Sequence, residues 1–113
     1  MLKHRILYGR FPFLEKPYKQ KPRPLLCLTQ AIGKNELVVV AYMTTSSREE
    51  LETDIKVDGE SQGFKHTGLK GTTYIKLHKL GSLPLGEIES EVGILPRIYS
   101  LEVKKKLKKL LGI

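Results

Sequence analysis

The chain has 113 residues, 40% of them hydrophobic, with ten glycines, six prolines, one cysteine and no tryptophan; this suits one small domain over residues 1–113 and leaves no room for a second core. Twenty Lys and Arg against twelve Asp and Glu give a formal charge of +8, which favours a polyanionic partner. A lone Cys27 excludes both a disulfide framework and a paired-cysteine zinc site; with no apolar run of the ~18 residues that span a bilayer and no signal-peptide core, the expectation is a soluble cytoplasmic protein.

Along the chain, RILYGRFPF (5–13) alternates loosely and meets Pro12, so a first strand ends or bends there. LEKPYKQKPRP (14–24) holds three prolines among basic residues and reads as an extended, positively charged loop. LLCLT (25–29) and ELVVVAYM (36–43) are β-rich apolar runs, separated by QAIGKN, whose Gly33 and Asn35 suit a turn; these are the central strands. Ser46 and Ser47 before REEL predict a single helical turn over 47–51. In TDIKVD (53–58), Thr53, Ile55 and Val57 take one face and Asp54, Lys56 and Asp58 the other. Residues 59–71 are turn-rich.

TTYIKLHKL (72–80) alternates Tyr74, Lys76 and His78 with Ile75, Leu77 and Lys79, giving a strand with one polar, basic face. EIESEVGIL (87–95) supplies another strand with Ile88, Val92 and Ile94 as core positions. Leu101 or Val103, Leu107, Leu110 and Leu111 then fall at helical spacing over 100–111, with Ser100 as the cap and Gly112 as the stop. About six short strands and one closing helix describe a mainly-β fold, a small, strongly bent antiparallel barrel with a helix packed on it. Five of the 20 basic residues lie in that helix (Lys104, Lys105, Lys106, Lys108, Lys109), and the remaining 15 exceed the 12 acids by only three.

Paired-cysteine, HExxH, P-loop and GxSxG patterns are absent, which excludes the chemistries those motifs support. What remains is cationic and hydroxylic. Arg23, between two prolines, projects a guanidinium suited to phosphate from a stiffened loop; a solvated surface arginine is the alternative. Thr44, Thr45, Ser46 and Ser47 follow a central strand, where a rigid scaffold holds ligand-contacting groups; local bonds to the backbone are the alternative. Tyr74, Lys76 and His78 make either an acid–base row or a solvated outer face. Cys27 reads as a core side chain.

The ordered set FPF, KPRPLLCLT, LVVVAYMTTSS, TTYIKLHKLGSL and EVGILP, closed by an amphipathic helix, resembles the MazF/PemK family of type II toxin–antitoxin ribonucleases over nearly the whole chain. The resemblance implies an SH3-like barrel, a homodimer, a cognate antitoxin as partner and single-stranded mRNA as substrate, cut without metal or cofactor. Carried over by residue, it implies Arg23 and Thr44 as catalytic, with Thr45 adjacent, and it places the later strand's assisting pair at Lys76 and His78, so that an imidazole stands where relatives carry an acid. The family's opening Gly-acid is Lys3-His4-Arg5 here, and the Gly-Glu of the first long loop is replaced by Pro-Tyr-Lys, which makes Tyr18, Lys19 and Lys21 RNA contacts, Tyr18 by stacking.

Metal-free RNA cleavage must deprotonate the 2′-OH, stabilise a phosphorane-like charge and protonate the leaving 5′-oxygen. Arg23 supplies the fixed charge, Thr44 orients the phosphate, and His78 is the candidate for proton transfer because imidazoles work in both directions near neutrality. Two other classes remain open: a non-catalytic SH3-like module that binds nucleic acid or an acidic peptide, and a gyrase-poisoning toxin of the same fold, against which the lysine-rich rather than aromatic C-terminal end argues.

Overall fold

The computed structural model describes residues 1–12, 21–46 and 50–113. The six strands are β1 (Arg5–Gly9), β2 (Arg23–Cys27), β3 (Leu37–Thr44), β4 (Asp54–Val57), β5 (Thr73–Pro84) and β6 (Ser90–Ile94), and α1 (Arg97–Leu111) follows them. They form one sheet in the order β4-β5-β3-β2-β1-β6, with all five neighbouring pairs antiparallel. The expected bent antiparallel sheet with a C-terminal helix is therefore present as a curled half-barrel. The helical turn expected over 47–51 falls largely outside the described residues.

Period-two alternation sends side chains to two apolar clusters, one on each sheet face. On the first face Ile6, Leu26, Met43, Ile55, Ile75 and Leu77 pack against Val103 of α1, joined by partly buried Tyr99 and Leu107. On the second, Leu7, Leu25, Cys27, Val38, Val40 and Leu83 are covered by Phe11. Phe11 lies beyond the end of β1 and is buried in this core, so the strand ends before Pro12 as expected. Cys27 is fully buried as expected, and burial pushes its thiol above the ordinary value, which keeps it protonated and unreactive.

Several boundaries differ from the sequence reading. The helix starts at Arg97, behind Pro96, and the Ser100 hydroxyl donates to the Arg97 carbonyl at 3.0 Å inside the first turn; proline has no N–H to leave unsatisfied and its fixed φ suits a helix start. Gly112 ends the helix in the left-handed conformation, φ 72°, as expected. Val103 is the buried helix position, while Leu101, Leu110 and Leu111 are exposed, because α1 presents the 99/103/107 stripe to the sheet. Ile94 is exposed and Leu95 is the core residue. The turn Phe64–Thr67 runs so close to β6 that a Cβ at Gly68 or at Gly93 would collide with backbone of the other segment.

The strand expected over 72–80 extends to Pro84 and carries an irregularity. Ala41 pairs with Leu80, but the next β3 residue, Tyr42, pairs with Lys76, so Leu77, His78 and Lys79 have no opposite number on β3. Side-chain parity reverses across this bulge. Before it, odd-numbered Ile75 and Leu77 face the helix; after it, odd-numbered Leu83 enters the second cluster.

Candidate nucleic-acid interface

Directly paired residues of an antiparallel sheet put their side chains on one face. The registers Leu25↔Tyr42, Tyr42↔Lys76 and Lys76↔Asp54 therefore make one row across four strands. Arg23 lies two residues before Leu25 and so on the same face. The second sheet face thus changes character along its length: apolar at Cys27, Val38 and Val40, polar and charged at Arg23, Tyr42, Thr44, Lys76 and Asp54.

Arg23 is the first residue of β2, not a loop residue as its prolines suggested. Its Nη1 donates to the Tyr42 hydroxyl, its Cζ sits 5.1 Å from the Tyr42 ring centre, and its buried Nε has no hydrogen-bond partner among the described residues. Arg23, Thr44 and Thr45 line one cavity of about 360 Å³ together with Tyr8, Pro24 and Lys70. The structure thus brings the principal sequence candidates together and adds a second cation, Lys70, from the turn-rich stretch. Thr44 also behaves as the alternative reading expected: its Oγ1 donates to the Ser46 carbonyl at 3.2 Å and accepts from the Ser46 amide at 3.1 Å.

Lys76 and His78 do not line that cavity. Lys76 belongs to no solvated face; it is buried, its Nζ 2.6 Å from Asp54 Oδ2. Asp54 Oδ2 also accepts from the Leu51 amide at 2.9 Å. His78 lies in the bulge, Nδ1 3.2 Å from Thr53 Oγ1 and 3.9 Å from Asp54 Oδ1. Asp54 Oδ1 is buried without a hydrogen bond among the described residues, and His78 Nδ1 is a cationic candidate across that gap when protonated. Lys21 is exposed two residues before Arg23, while Tyr18 and Lys19 lie outside the described residues.

Three residues of this face were missed in the sequence. Tyr42 reads there as one more apolar member of VVVAYM. Asp54 reads as the solvent side of an alternating strand, and only the strand pairing shows that its face is covered at Lys76. Lys79 sits on the apolar side by simple alternation, but the bulge turns it over, and its Nζ stands 5.2 Å from the Tyr42 ring centre. Phe11 meets the same ring edge-on at 5.3 Å.

Among the described residues no three His, Cys, Asp or Glu side chains gather as a metal-binding group. A larger cleft of about 610 Å³ beside α1 is lined by Lys105, Lys106 and Lys109 but also by Glu52 and Glu102, with which Lys109 and Lys106 are paired, and those acids make it the poorer anion site. Among the described residues no helix is long and apolar enough to cross a membrane.

Residues 4–111 match the family model of the PemK-like, MazF-like toxins of type II toxin–antitoxin systems. No curated protein sequence matches the chain. Solved structures share its fold. An endoribonuclease in complex with its cognate antitoxin, from mycobacterial species, is 18% identical with a TM-score of 0.71, over 100% of this chain and 96% of that one. The Mycobacterium tuberculosis toxin MazF-mt6 is 20% identical with a TM-score of 0.71, over 96% and 97%. A further Mtb toxin is 20% identical with a TM-score of 0.66, over 93% and 98%.

Proposed function

The chain belongs to the PemK-like, MazF-like toxins of type II toxin–antitoxin systems, and on that premise we propose that it is a cytoplasmic endoribonuclease that cuts single-stranded mRNA by 2′-OH attack. The observation that carries this reading is the Arg23 guanidinium, anchored through Nη1 on Tyr42 with Nε unpartnered among the described residues, lining one cavity with Thr44 and Thr45. A cation held in advance where charge develops stabilises the transition state without reorganising.

In the proposed reaction the ribose O2′ loses its proton and bonds to the adjacent phosphorus, the P–O5′ bond breaks, and O5′ gains a proton. The products are a 2′,3′-cyclic phosphate and a 5′-OH. Arg23 hydrogen-bonds the phosphate oxygens as their charge grows. Thr44 exchanges its contact with Ser46 for one of them, and exposed Thr45 and Lys21 hold the strand on either side. Tyr18 and Lys19 are proposed as further RNA contacts.

His78 stands outside the cavity, held through Nδ1 by Thr53 and Asp54, and is the proposed proton-transfer group for an RNA strand that runs from Arg23 along the polar row to it. Replacing it with alanine should flatten the pH dependence of cleavage; an unaltered profile removes that role. Lys76, buried and neutralised by Asp54, is proposed to brace β5 beside the site rather than to contact RNA. A cognate antitoxin is the proposed protein partner, supported by the neighbour solved with one, and the working unit is proposed to be a homodimer.

The decisive experiment incubates wild type and Arg23→Ala with mixed-sequence single-stranded RNA in EDTA. Wild type should give site-limited cuts ending in cyclic phosphate, and Arg23→Ala should be slower by roughly 10²–10³-fold with folding retained. A fully active Arg23→Ala would remove the assignment. Salt-sensitive binding without any cleavage by wild type would establish the non-catalytic module instead.

A further inference from the structure

We propose that Tyr42 is a positioning residue that holds Arg23 and Lys79 as a two-cation seat, with Lys79 binding an RNA phosphate next to the one Arg23 engages. This deepens the ribonuclease reading and rests on it for the substrate. Two positive charges lie near one aromatic ring, the Arg23 Cζ at 5.1 Å and the Lys79 Nζ at 5.2 Å from its centre, so they are at most two such distances apart. Like charges within that span repel, most strongly where the protein keeps solvent from between them. Neither has an acidic partner among the described residues, although the same row satisfies Lys76 with Asp54.

The negative face of the Tyr42 ring offsets part of the repulsion. A ligand bearing two neighbouring negative charges would remove the rest, and consecutive phosphates of a single strand are such a ligand. The fold supplies this arrangement deliberately: Lys79 reaches the ring only because the bulge at Leu77–Lys79 reverses parity on β5. The two halves of Tyr42 have separable duties. Its hydroxyl receives Arg23 Nη1 and fixes the guanidinium, whereas its ring faces the Lys79 ammonium. Phe11, packed edge-on, holds the ring in place.

The test measures binding of an uncleavable all-deoxy oligonucleotide over a salt series, alongside steady-state cleavage of the matching RNA, for wild type, Lys79→Ala, Lys79→Arg, Tyr42→Phe and Tyr42→Leu, with circular dichroism as the folding control. Lys79→Ala should weaken binding and make the slope of log K against log salt shallower by about 0.7, the value expected for one lost phosphate contact to a single strand. Lys79→Arg should restore both. Tyr42→Phe keeps ring and charges, so its slope and KM should match wild type while kcat falls roughly 10- to 100-fold through a misplaced Arg23. Tyr42→Leu should lose both functions.

A salt slope for Lys79→Ala equal to wild type overturns the phosphate seat, and an undiminished kcat in Tyr42→Phe overturns the positioning role. The binding arm reads the seat whether or not RNA is cut. Wild type that binds with the expected slopes but never cleaves therefore removes the ribonuclease reading alone. Wild type that cleaves with slopes insensitive to Lys79 removes the seat alone.

Discussion

The two faces of the sheet are made by the same strands and could hardly differ more. The face under α1 is apolar from Ile6 to Val57 and is closed by Val103. The opposite face begins as a second core at Cys27, Val38 and Val40 and ends as a polar row, with Tyr42, Lys76 and Asp54 directly paired and Arg23 and Thr44 beside it. A half-barrel needs only one fully apolar face plus part of the other to fold; the remainder of the second face is therefore available for charge. Lys76 and Asp54 show that this freedom is conditional, since a buried charge on that face must carry its partner with it.

The largest effect that separates the faces is expected at that pair. Asp54→Ala removes the carboxylate paired with the buried Lys76 ammonium at 2.6 Å, and denaturant unfolding should show a loss of about 3–5 kcal/mol. Adding Lys76→Met to it should recover much of the loss, since two apolar side chains can replace a buried pair. If the double variant is no more stable than the single one, the row is held by something other than charge pairing.

On the helix face, Ile75→Val removes one buried methyl group and should lower stability by about 0.5–1.5 kcal/mol. Cleavage rates at 25 °C should stay unchanged, because Ile75 itself does not line the cavity that holds Arg23. A kinetic defect in this variant would join the two faces functionally and spoil the contrast drawn between them.

The smallest effect is at the start of β1. Burial, with Lys3 beside it, pushes the His4 imidazole below its ordinary value of 6.5, so the folded state favours neutral His4 and the unfolded chain takes up its proton more readily. This contribution to stability is present above the unfolded value and is lost as pH falls through the window between the unfolded and folded values. His4 has φ 68°, a conformation that asparagine tolerates. The Tm of His4→Asn should accordingly fall less than that of wild type between pH 7.5 and 5.5; parallel curves would assign the acid sensitivity elsewhere.

Much of the fold was legible because it depends on local rules. Alternation marked the strands, Gly112 stopped the helix, and the apolar runs at 25–29 and 36–43 located the centre of the sheet. Arg23 and Thr44 could be singled out from Pro-Arg-Pro and from the hydroxyl cluster, and they do share a cavity. Ser100 was misread as the cap because a serine before an apolar stripe is a good start signal, yet Pro96 supplies an earlier one. Ile94 was misread as core, and the choice between Leu101 and Val103 stayed open until the sheet covered Val103, because periodicity states which residues share a stripe but not which stripe will be covered.

The amino-acid sequence by itself determined the class of fold, the charge that calls for a polyanion, and the residues that can place a cation and a hydroxyl at the end of a central strand. These follow from side-chain periodicity and from the stiffness of proline, both of which act within a few residues. Tertiary structure alone decided that Asp54 is buried against Lys76, that Tyr42 stands under both Arg23 and Lys79, and that His78 faces Thr53 rather than the cavity. Each of these depends on register between strands remote in sequence, and on a bulge that reverses which side of β5 a residue faces; a one-residue shift would have rewritten them all.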